Sequence, residues 1–373
     1  YVNQDKIKNK NILLKKNFKT KKLFKKLIID NINFSLDFKT SFMHYFKGLI
    51  KITDTNFNIV NKIYSTLFDT VFTVKKIIKN HNSIKIVTIN GKNIQTGVLY
   101  NMSIKNNIDC YTWDVFYQGF KGIISKNSIA HEQHISQKIW KLEKTKKIEK
   151  SKQEIIKNYM YAQSKSLNTP YKYYDENIIK KKKEIFDHLK IDCGKKIITI
   201  FPNTDWDSST IGLDDAYVDQ YHFIHEMIKF SKKNQDYTVI IRCHPGEQKV
   251  SYHAKSSKPL SQYIKEEYNN ISSNLKVIDS LSNISSYTLA QLSDHRIVYT
   301  STLGLEFSYI GLKTLVVGNA YYKFKGFTCD VKTHNGLLNY LKHDYKKKLR
   351  KTEHNLLKKF IFLSKFKRLF QLD

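Results

Sequence analysis

From residue 195 onward, short apolar runs alternate regularly with segments of helical periodicity. The apolar runs predict strands at residues 196–201, 237–243, 275–278, 296–300 and 314–317. Helices are predicted between them, at about residues 214–232, 259–270, 286–293 and 303–310. Near-continuous apolar strands separated by helices are typical of a parallel sheet that is covered on both faces. This half of the chain therefore predicts a doubly wound α/β domain.

The first half shows a weaker α/β pattern. Up to about residue 80 the sequence is lysine-rich with apolar positions at helical intervals, which predicts helices. A strand at 84–89, a helix at about 93–105 and a strand at 110–116 form one strand-helix-strand unit. The very basic segment 138–185, with a break at Pro170, is interpreted as the link between two domains.

These patterns divide the chain into three parts. We expect an N-terminal α/β domain with its basic linker over residues 1–185 and a C-terminal Rossmann-like domain over 186–335. Basic amphipathic helices are expected over 336–373.

The strong positive charge does not by itself indicate nucleic-acid binding. The net charge is +31 and the isoelectric point is near 9.7, but only four of the 64 basic residues are arginines. Abundant lysine, asparagine and isoleucine reflect A/T-rich codons, whereas base recognition favours the planar guanidinium of arginine. We therefore expect no specific nucleic-acid partner. The positive field should still attract anionic membrane surfaces, nucleotides or acidic polymers.

The sequence shows no motif for a metal or a redox cofactor. The four cysteines are far apart, and His222 and His225 lack a partner motif. Residues 131–134 contain two histidines without HExxH spacing, and P-loop and GxGxxG motifs are absent. We therefore expect neither a metal site nor a cofactor.

Apolar stretches are interrupted by charge well before about 18 residues, and no signal peptide is visible. We therefore expect a cytoplasmic protein. Because the sequence begins at Tyr1 rather than at methionine, this expectation is restricted to the residues from Tyr1 onward.

Polar side chains follow the predicted strands at ends that should meet at one edge of the sheet. Asn203 and Asp207 follow the first strand, Arg242 and His244 end the second, and residues 300–302 (Thr-Ser-Thr) end the fourth. In an open α/β sheet, ligands bind outside the carboxyl ends of the strands. The sequence therefore predicts a binding site at this edge.

Each of these side chains also has a purely structural interpretation. The hydroxyls of residues 300–302, with Gly304 allowing close approach, could hold an anion or only cap a helix. Glu306 could accept ribose hydroxyls or only favour the helix dipole. Arg242 should point to the same edge as His244 by strand alternation, or form a structural salt bridge.

His244 and Asp207 are the candidates for chemistry at this edge. Pro245 fixes the chain after the second strand and holds the His244 imidazole, which could donate to a phosphate or assist a leaving group. Asp207 lies in an acidic loop, where a carboxylate either acts in catalysis or simply faces water.

The order of these motifs resembles that of bacterial capsule polysaccharide biosynthesis proteins, which are GT-B glycosyltransferases. The resemblance covers about residues 195–330, in the segments FPNTDWDSST, YTVIIRCHPGE and VYTSTLGLEFSYIGLKTLVVGNAYYKFKGFT. The family's usual Gly-x-Pro turn has Lys313 in place of proline, a departure that affects a turn. The matching positions, in order, are Trp206-Asp207, Arg242-Cys243-His244-Pro245, Glu247, Ser301-Thr302, Gly304-Leu305-Glu306 and the aromatic loop 321–328.

The resemblance implies an α/β, GT-B-like fold with two Rossmann-type domains and a cleft between them, and an activity that needs no metal. The C-terminal domain would bind a nucleotide sugar, for example one linked to CMP or UDP. His244, Ser301 and Thr302 would contact its phosphate and Glu306 its ribose. The remaining members of the nucleotide-sugar set are Asn203, Arg242, Thr300 and Gly304.

The N-terminal domain would bind a polysaccharide or lipid-linked acceptor. A carboxylate of that domain would deprotonate the acceptor hydroxyl, and Asp114 and Glu132 are candidates by position alone. With His244 and Asp207 they make up the candidate catalytic set.

The chain ends in a basic amphipathic segment. Its apolar residues recur every three or four positions with lysines between them, namely Leu356, Phe360, Leu363, Phe366 and Phe370. This stripe predicts either a helix on an anionic membrane surface or one that packs back against the N-terminal domain.

The sequence thus predicts a glycosyltransferase that builds a capsule or other surface polysaccharide at the inner face of the cytoplasmic membrane. A CDP-alcohol-dependent polyol-phosphate transferase would use the same edge of the sheet, and a sugar-nucleotide epimerase of similar fold is less favoured. A non-catalytic protein that binds polyanions or membranes would use the lysines alone.

Overall fold

The N-terminal lobe of this computed structural model contains a four-stranded mixed sheet. The structure describes residues 27–49, 52–81, 83–116, 121–167, 178–342 and 348–371. A short hairpin, β1 (Ile28–Ile29) and β2 (Ile32–Asn33), precedes helices α1 (Ser35–Phe46) and α2 (Asp54–Asn80). Then come β3 (Ile86–Ile89), α3 (Ile94–Lys105), β4 (Cys110–Phe116) and β5 (Lys121–Lys126). β3 and β4 are parallel and β5 is antiparallel to β4, so the predicted strand-helix-strand unit is confirmed.

Helices α1, α2 and α3 pack together over this sheet. Their apolar stripes form one buried cluster that includes Phe38, Phe42, Leu67 and Val98. Helices were predicted for the first 80 residues, and the structure places two there, while residues 1–26 lie outside the described ranges.

The segment predicted as a linker is helical and contributes to the core of the C-terminal lobe. It forms α4 (Gln137–Glu143), α5 (Lys150–Ser164) and α6 (Lys182–Leu189). Trp140, Ile156, Met160 and Ile185 are buried in the same cluster as strands of the C-terminal sheet. The predicted break at Pro170 lies outside the described residues.

The C-terminal lobe is built on a six-stranded parallel sheet. Its strands are β6 (Lys196–Phe201), β7 (Tyr237–Arg242), β8 (Leu275–Ile278), β9 (His295–Val298), β10 (Leu315–Val316) and β11 (Cys329–Asp330). Their order across the sheet is β11-β10-β9-β6-β7-β8. The helices between them are α7 (Gln220–Lys233), α8 (Leu260–Glu267), α9 (Ser286–Leu292) and α10 (Leu303–Tyr309).

Both faces of this sheet are covered, as the apolar strands predicted. In β6, Ile198 and Ile200 pack into one buried cluster, whereas Ile197 and Phe201 pack into the other, because successive strand side chains point to opposite faces. The helix expected from residue 214 begins only at Gln220, where the Asp219 side chain accepts a hydrogen bond from His222 N–H at 2.6 Å.

The C-terminal segment returns from the C-terminal lobe to the N-terminal sheet. It comprises α11 (His334–Lys342), α12 (Lys351–Phe362), a π-helical turn (Leu363–Lys367) and β12 (Phe370–Gln371). Phe360 and Leu363 are buried in the C-terminal core, and β12 pairs antiparallel with β5. The helical part of the stripe therefore packs into the protein, but against the C-terminal core rather than against the N-terminal domain as predicted. Only the end of the stripe, at Phe370, reaches the N-terminal sheet.

None of the helices in the described ranges is long and apolar enough to cross a bilayer. The predicted α/β, GT-B-like fold is confirmed: two lobes flank a cleft, whose walls come from both. The C-terminal lobe has the parallel, doubly wound sheet, whereas the mixed sheet of the N-terminal lobe contains one parallel strand-helix-strand unit.

Candidate active site between the lobes

The cleft contains a cavity of about 270 Å³ at the carboxyl ends of the C-terminal strands. Residues 131–133 of the N-terminal lobe form one wall, and Gln163 and Ser166, at the end of α5, contribute another part. The predicted site residues that line it are Glu132, Asn203, Asp207, His244, Thr300, Ser301, Thr302 and Glu306. The fold therefore brings the strand-end motifs together opposite the N-terminal lobe.

His244 is held as a hydrogen-bond donor. Its Nδ1 accepts a hydrogen bond from Gly246 N–H at 3.0 Å, within the short turn Pro245–Glu247. Burial, with the charge of Arg242, lowers the pKa of His244 to about 4, although the charge of Asp207 acts in the opposite direction. At neutral pH the ring is therefore uncharged and carries its proton on Nε2, which suits contact with an anionic oxygen.

The ends of β6 and β9 are joined through side chains. Asn203 Nδ2 donates to Thr300 Oγ1 at 3.2 Å, and Gln220 holds both backbone polar groups of Asn203 at 2.8 and 2.7 Å. Ser301 Oγ accepts a hydrogen bond from Leu303 N–H at 3.3 Å, directly before the helix whose N-cap residue is Thr302. The helix that follows has only seven residues, and the hydroxyl groups, rather than a long helix dipole, supply the polarity of this wall.

Glu306 is buried among hydrogen-bond donors of the protein. It is 5% exposed, and it accepts hydrogen bonds from Thr302 Oγ1 at 3.0 Å, from Gln163 Nε2 at 3.5 Å and from the Tyr287 hydroxyl. Burial raises the pKa of Glu306, and these donors oppose the rise. Its carboxyl group thereby positions Thr302 and Tyr287 along the cavity wall.

Two predicted residues of the C-terminal lobe do not line the cavity. Arg242 is 2% exposed, and its guanidinium donates to the carbonyl oxygens of Cys243, Asp279 and Ser282 at 3.1, 2.5 and 2.9 Å. It therefore braces the loop after β8. Gly304 lies behind the wall, against the side chain of Tyr322.

Lys92 connects the two lobes beside the cavity. Its ammonium lies 3.1 Å from the carboxylate of Glu132 and donates to the carbonyl oxygens of Ser208 and Ile211 at 2.8 and 3.0 Å. The side chain is fully buried. A lysine of the N-terminal lobe therefore fixes both the cleft residue Glu132 and the loop after β6 of the other lobe.

Asp114 stands behind the cavity wall rather than in it. Its carboxylate is hydrogen bonded to Nδ1 of His131, and His131 lines the cavity. Nε2 of His131 lies 2.8 Å from the hydroxyl oxygen of Ser208. The carboxylate candidate thus reaches the cleft only through an imidazole.

Sequence reasoning missed several cavity residues. Gln163 and Ser166 belong to the segment interpreted as a linker, where no local pattern marks them. His131 lies in a polar stretch whose histidine spacing excludes a zinc motif and marks no other function. Tyr321 begins the aromatic loop 321–328 after β10, which matches the family pattern but was not assigned to the site. Within the described ranges, no group of three or more histidine, cysteine, aspartate or glutamate side chains could hold a metal ion.

A family model described as "Capsule polysaccharide biosynthesis protein" matches residues 121–362, which is more than half of the 373 residues. A search of curated protein sequences gave no match.

Solved structures that are similar to this chain include two transferases of Thermosulfurimonas dismutans. The KpsC β-Kdo 2,7 transferase has 12% identity and a TM-score of 0.42, over 77% of this chain and 79% of that chain. The KpsC β-Kdo 2,4 transferase has 12% identity and a TM-score of 0.45, over 73% of this chain and 78% of that chain. S. aureus MnaA, solved with UDP, has 9% identity and a TM-score of 0.31, over 79% and 75% of the two chains.

Proposed function

The chain belongs to the capsule polysaccharide biosynthesis protein family, and from this premise we propose that it is a glycosyltransferase. It would move a sugar from a nucleotide donor onto a growing capsule or other surface polysaccharide. The observation that supports this proposal is the composition of the cavity: His244 and the hydroxyls of residues 300–302, which are suited to bind a phosphate, line it from one lobe, and His131 and Glu132, which are suited to accept a proton, line it from the other. A transferase that joins two substrates needs both in one water-shielded space.

The C-terminal lobe would hold the donor. The neutral His244 ring offers Nε2–H, and the hydroxyls of residues 300–302 line the same cavity. Together they would bind the donor phosphate and stabilise the negative charge that develops on it as the glycosidic phosphate bond breaks. In this proposal hydrogen bonds from these side chains, rather than a divalent cation, stabilise the leaving group, while Asp207 and Asn203 border the nucleotide.

The N-terminal lobe would hold the acceptor. Its wall, residues 131–133, lies opposite the phosphate-binding groups and supplies the base that takes the proton of the acceptor hydroxyl. We propose that the acceptor is a polysaccharide or a lipid-linked saccharide. The net charge of +31 would favour work at an anionic membrane surface on the cytoplasmic side.

Calorimetric titration with CMP, CDP and UDP tests the donor site. We expect saturable binding of at least one nucleotide. This binding should be lost in His244→Ala, because the substitution removes the imidazole that donates a hydrogen bond to the phosphate. His253→Ala, in the separate turn Tyr252–Ala254, is the matched control and should bind like the wild type. Weak binding that is indifferent to the base and to His244, and that disappears with salt, would instead indicate a polyanion-binding protein.

A donor screen then identifies the reaction. CMP-linked sugars, UDP-linked sugars and CDP-glycerol are incubated with the protein, and release of the nucleotide is measured with saccharide acceptors. Turnover with a sugar donor supports the glycosyltransferase, whereas turnover with CDP-glycerol alone assigns the polyol-phosphate alternative.

A further inference from the structure

Three side chains that are distant in sequence form one hydrogen-bonded row at the edge of the cavity. Asp114 lies on β4, and His131 lies in the short turn Ala130–Glu132 that follows the hairpin partner β5. Ser208 belongs to the loop after β6 of the other lobe. The Asp114 carboxylate is bonded to Nδ1 of His131, and Nε2 of His131 lies 2.8 Å from Ser208 Oγ.

The backbone around His131 is fixed from β4. Thr112 Oγ1 donates to the carbonyl oxygen of Ser128 at 2.7 Å and accepts from Ala130 N–H at 2.7 Å. Thr112 is fully buried and lies two residues before Asp114 on the same strand. One strand therefore sets both the position of the turn and the orientation of the imidazole.

The arrangement determines which nitrogen of His131 is basic. An ionised carboxylate only accepts hydrogen bonds, so Nδ1 carries the ring proton toward Asp114. In the neutral ring Nε2 then has the lone pair, and it accepts a hydrogen bond from the hydroxyl of Ser208, whose oxygen lies 2.8 Å away. The basic nitrogen of the ring thus belongs to a residue that lines the cavity.

Glu132, the neighbouring carboxylate, is bound differently. It pairs with Lys92, whose ammonium also holds two carbonyl groups of the other lobe. This contact assigns Glu132 to positioning the lobes.

We propose that His131 is the catalytic base of this site and that Asp114 is its positioning residue; this inference rests on the glycosyltransferase function proposed above. The acceptor hydroxyl displaces the Ser208 hydroxyl from Nε2 and gives its proton to Nε2. The acceptor oxygen forms the bond to the anomeric carbon, and the bond from that carbon to the phosphate oxygen breaks with its electron pair leaving on the nucleotide. Asp114 stabilises the imidazolium that results.

The first test separates chemistry from donor binding. With the donor found by the screen, His131→Gln should lower kcat by about 10²- to 10⁴-fold, while its dissociation constant for the nucleotide stays within about twofold of the wild type. Asp114→Asn should also lower kcat with little change in the donor KM, because an amide that donates to Nδ1 moves the ring proton to Nε2. His134→Gln, in the same loop, is the control and should retain kcat.

The outcomes distinguish the two proposals. Wild-type kcat in His131→Gln, with the nucleotide still bound, would overturn the role of His131 and leave the glycosyltransferase intact. Absence of nucleotide binding by the wild-type protein would overturn both.

A second test needs no substrate. In ¹⁵N spectra of histidine-labelled protein, the signals of His131 are identified by their loss in His131→Gln, and they should show a proton on Nδ1. A proton on Nε2 would contradict the proposed base. Labelling of Ser208 by a fluorophosphonate would also overturn the proposal, because it would make Ser208 a nucleophile and the row a hydrolytic triad; we expect no labelling.

Discussion

The hydroxyl of Tyr322 occupies the space that a side chain at residue 304 would need. A Cβ atom built on Gly304 would lie 2.2 Å from Tyr322 Oη. The same hydroxyl donates to the carbonyl oxygen of Ser301, directly beneath the cavity wall. The close approach of a glycine to a buried phenol therefore determines where the hydroxyls of residues 300–302 lie.

Gly304→Ala should displace Tyr322 and loosen this wall. We expect a loss of about 1–3 kcal/mol in the free energy of unfolding, as for other overpacked cores, together with weaker nucleotide binding. Denaturant unfolding and calorimetry measure the two effects. Gly194→Ala is the control, since a Cβ there meets only Asp192 Oδ1 at 3.4 Å; equal stability of the two variants would contradict the prediction.

Gly122→Ala should release the end of the chain from the N-terminal sheet. A Cβ at Gly122 would lie 2.6 Å from Cζ of Phe370, the residue that pairs with Gly122 in the sheet. We expect faster amide hydrogen exchange in residues 363–371 and easier tryptic cleavage after Arg368. Unchanged exchange in this segment would show that the sheet accommodates the methyl group without losing β12.

Lys92→Met should destabilise the contact between the lobes. The buried ammonium holds Glu132 and two carbonyl groups, and removing it leaves these groups without their donor. Breaking a buried pair costs about 3–5 kcal/mol, and hydrogen exchange in residues 207–211 should increase. Lys75→Met is the matched control, because its pair with Asp30 is exposed (59% and 49%) and contributes at most about 1 kcal/mol. Similar losses in both variants would contradict the anchoring role of Lys92.

Asp37→Asn should change how stability depends on pH. Asp37 is 2% exposed in α1, accepts a hydrogen bond from Asn101 at 3.0 Å, and has its pKa raised by burial from 3.8 to about 8. Between these values the folded protein keeps the proton that the unfolded chain loses, so stability falls as pH rises, by about 1.4 kcal/mol per pH unit. Asparagine does not titrate and should remove this contribution.

Denaturant unfolding at pH 5, 6 and 7 measures the effect of Asp37. The free energy of unfolding of Asp37→Asn, relative to that of the wild type, should increase with each step up in pH. A difference that stays constant over this range would show that Asp37 is ionised in the folded protein.

The C-terminal sheet and its polar edge follow from local sequence. Strands 196–201 and 275–278 were predicted with the bounds that the structure has, because a strand covered on both faces must be continuously apolar. Since all these strands are parallel, their carboxyl ends meet at one edge of the sheet. His244 and residues 300–302 were predicted to lie at this edge because they come at the ends of predicted strands, and the structure places them there. Strand alternation was not sufficient to predict the role of Arg242. This residue ends a strand at that edge, but its guanidinium donates to nearby carbonyl groups instead of lining the cavity.

By itself, the sequence determined the alternation of strands and helices, the edge where a ligand would bind and the apolar stripe at the chain's end. The tertiary structure decided which residues and surfaces each of these features contacts. The stripe of Phe360 and Leu363 could equally have faced lipid, because periodicity specifies which side of a helix is apolar and not the surface it contacts. His131 meets Asp114, 17 positions away, once β4 and β5 have paired within the N-terminal lobe. It meets Ser208, 77 positions away, only once the two lobes have packed together.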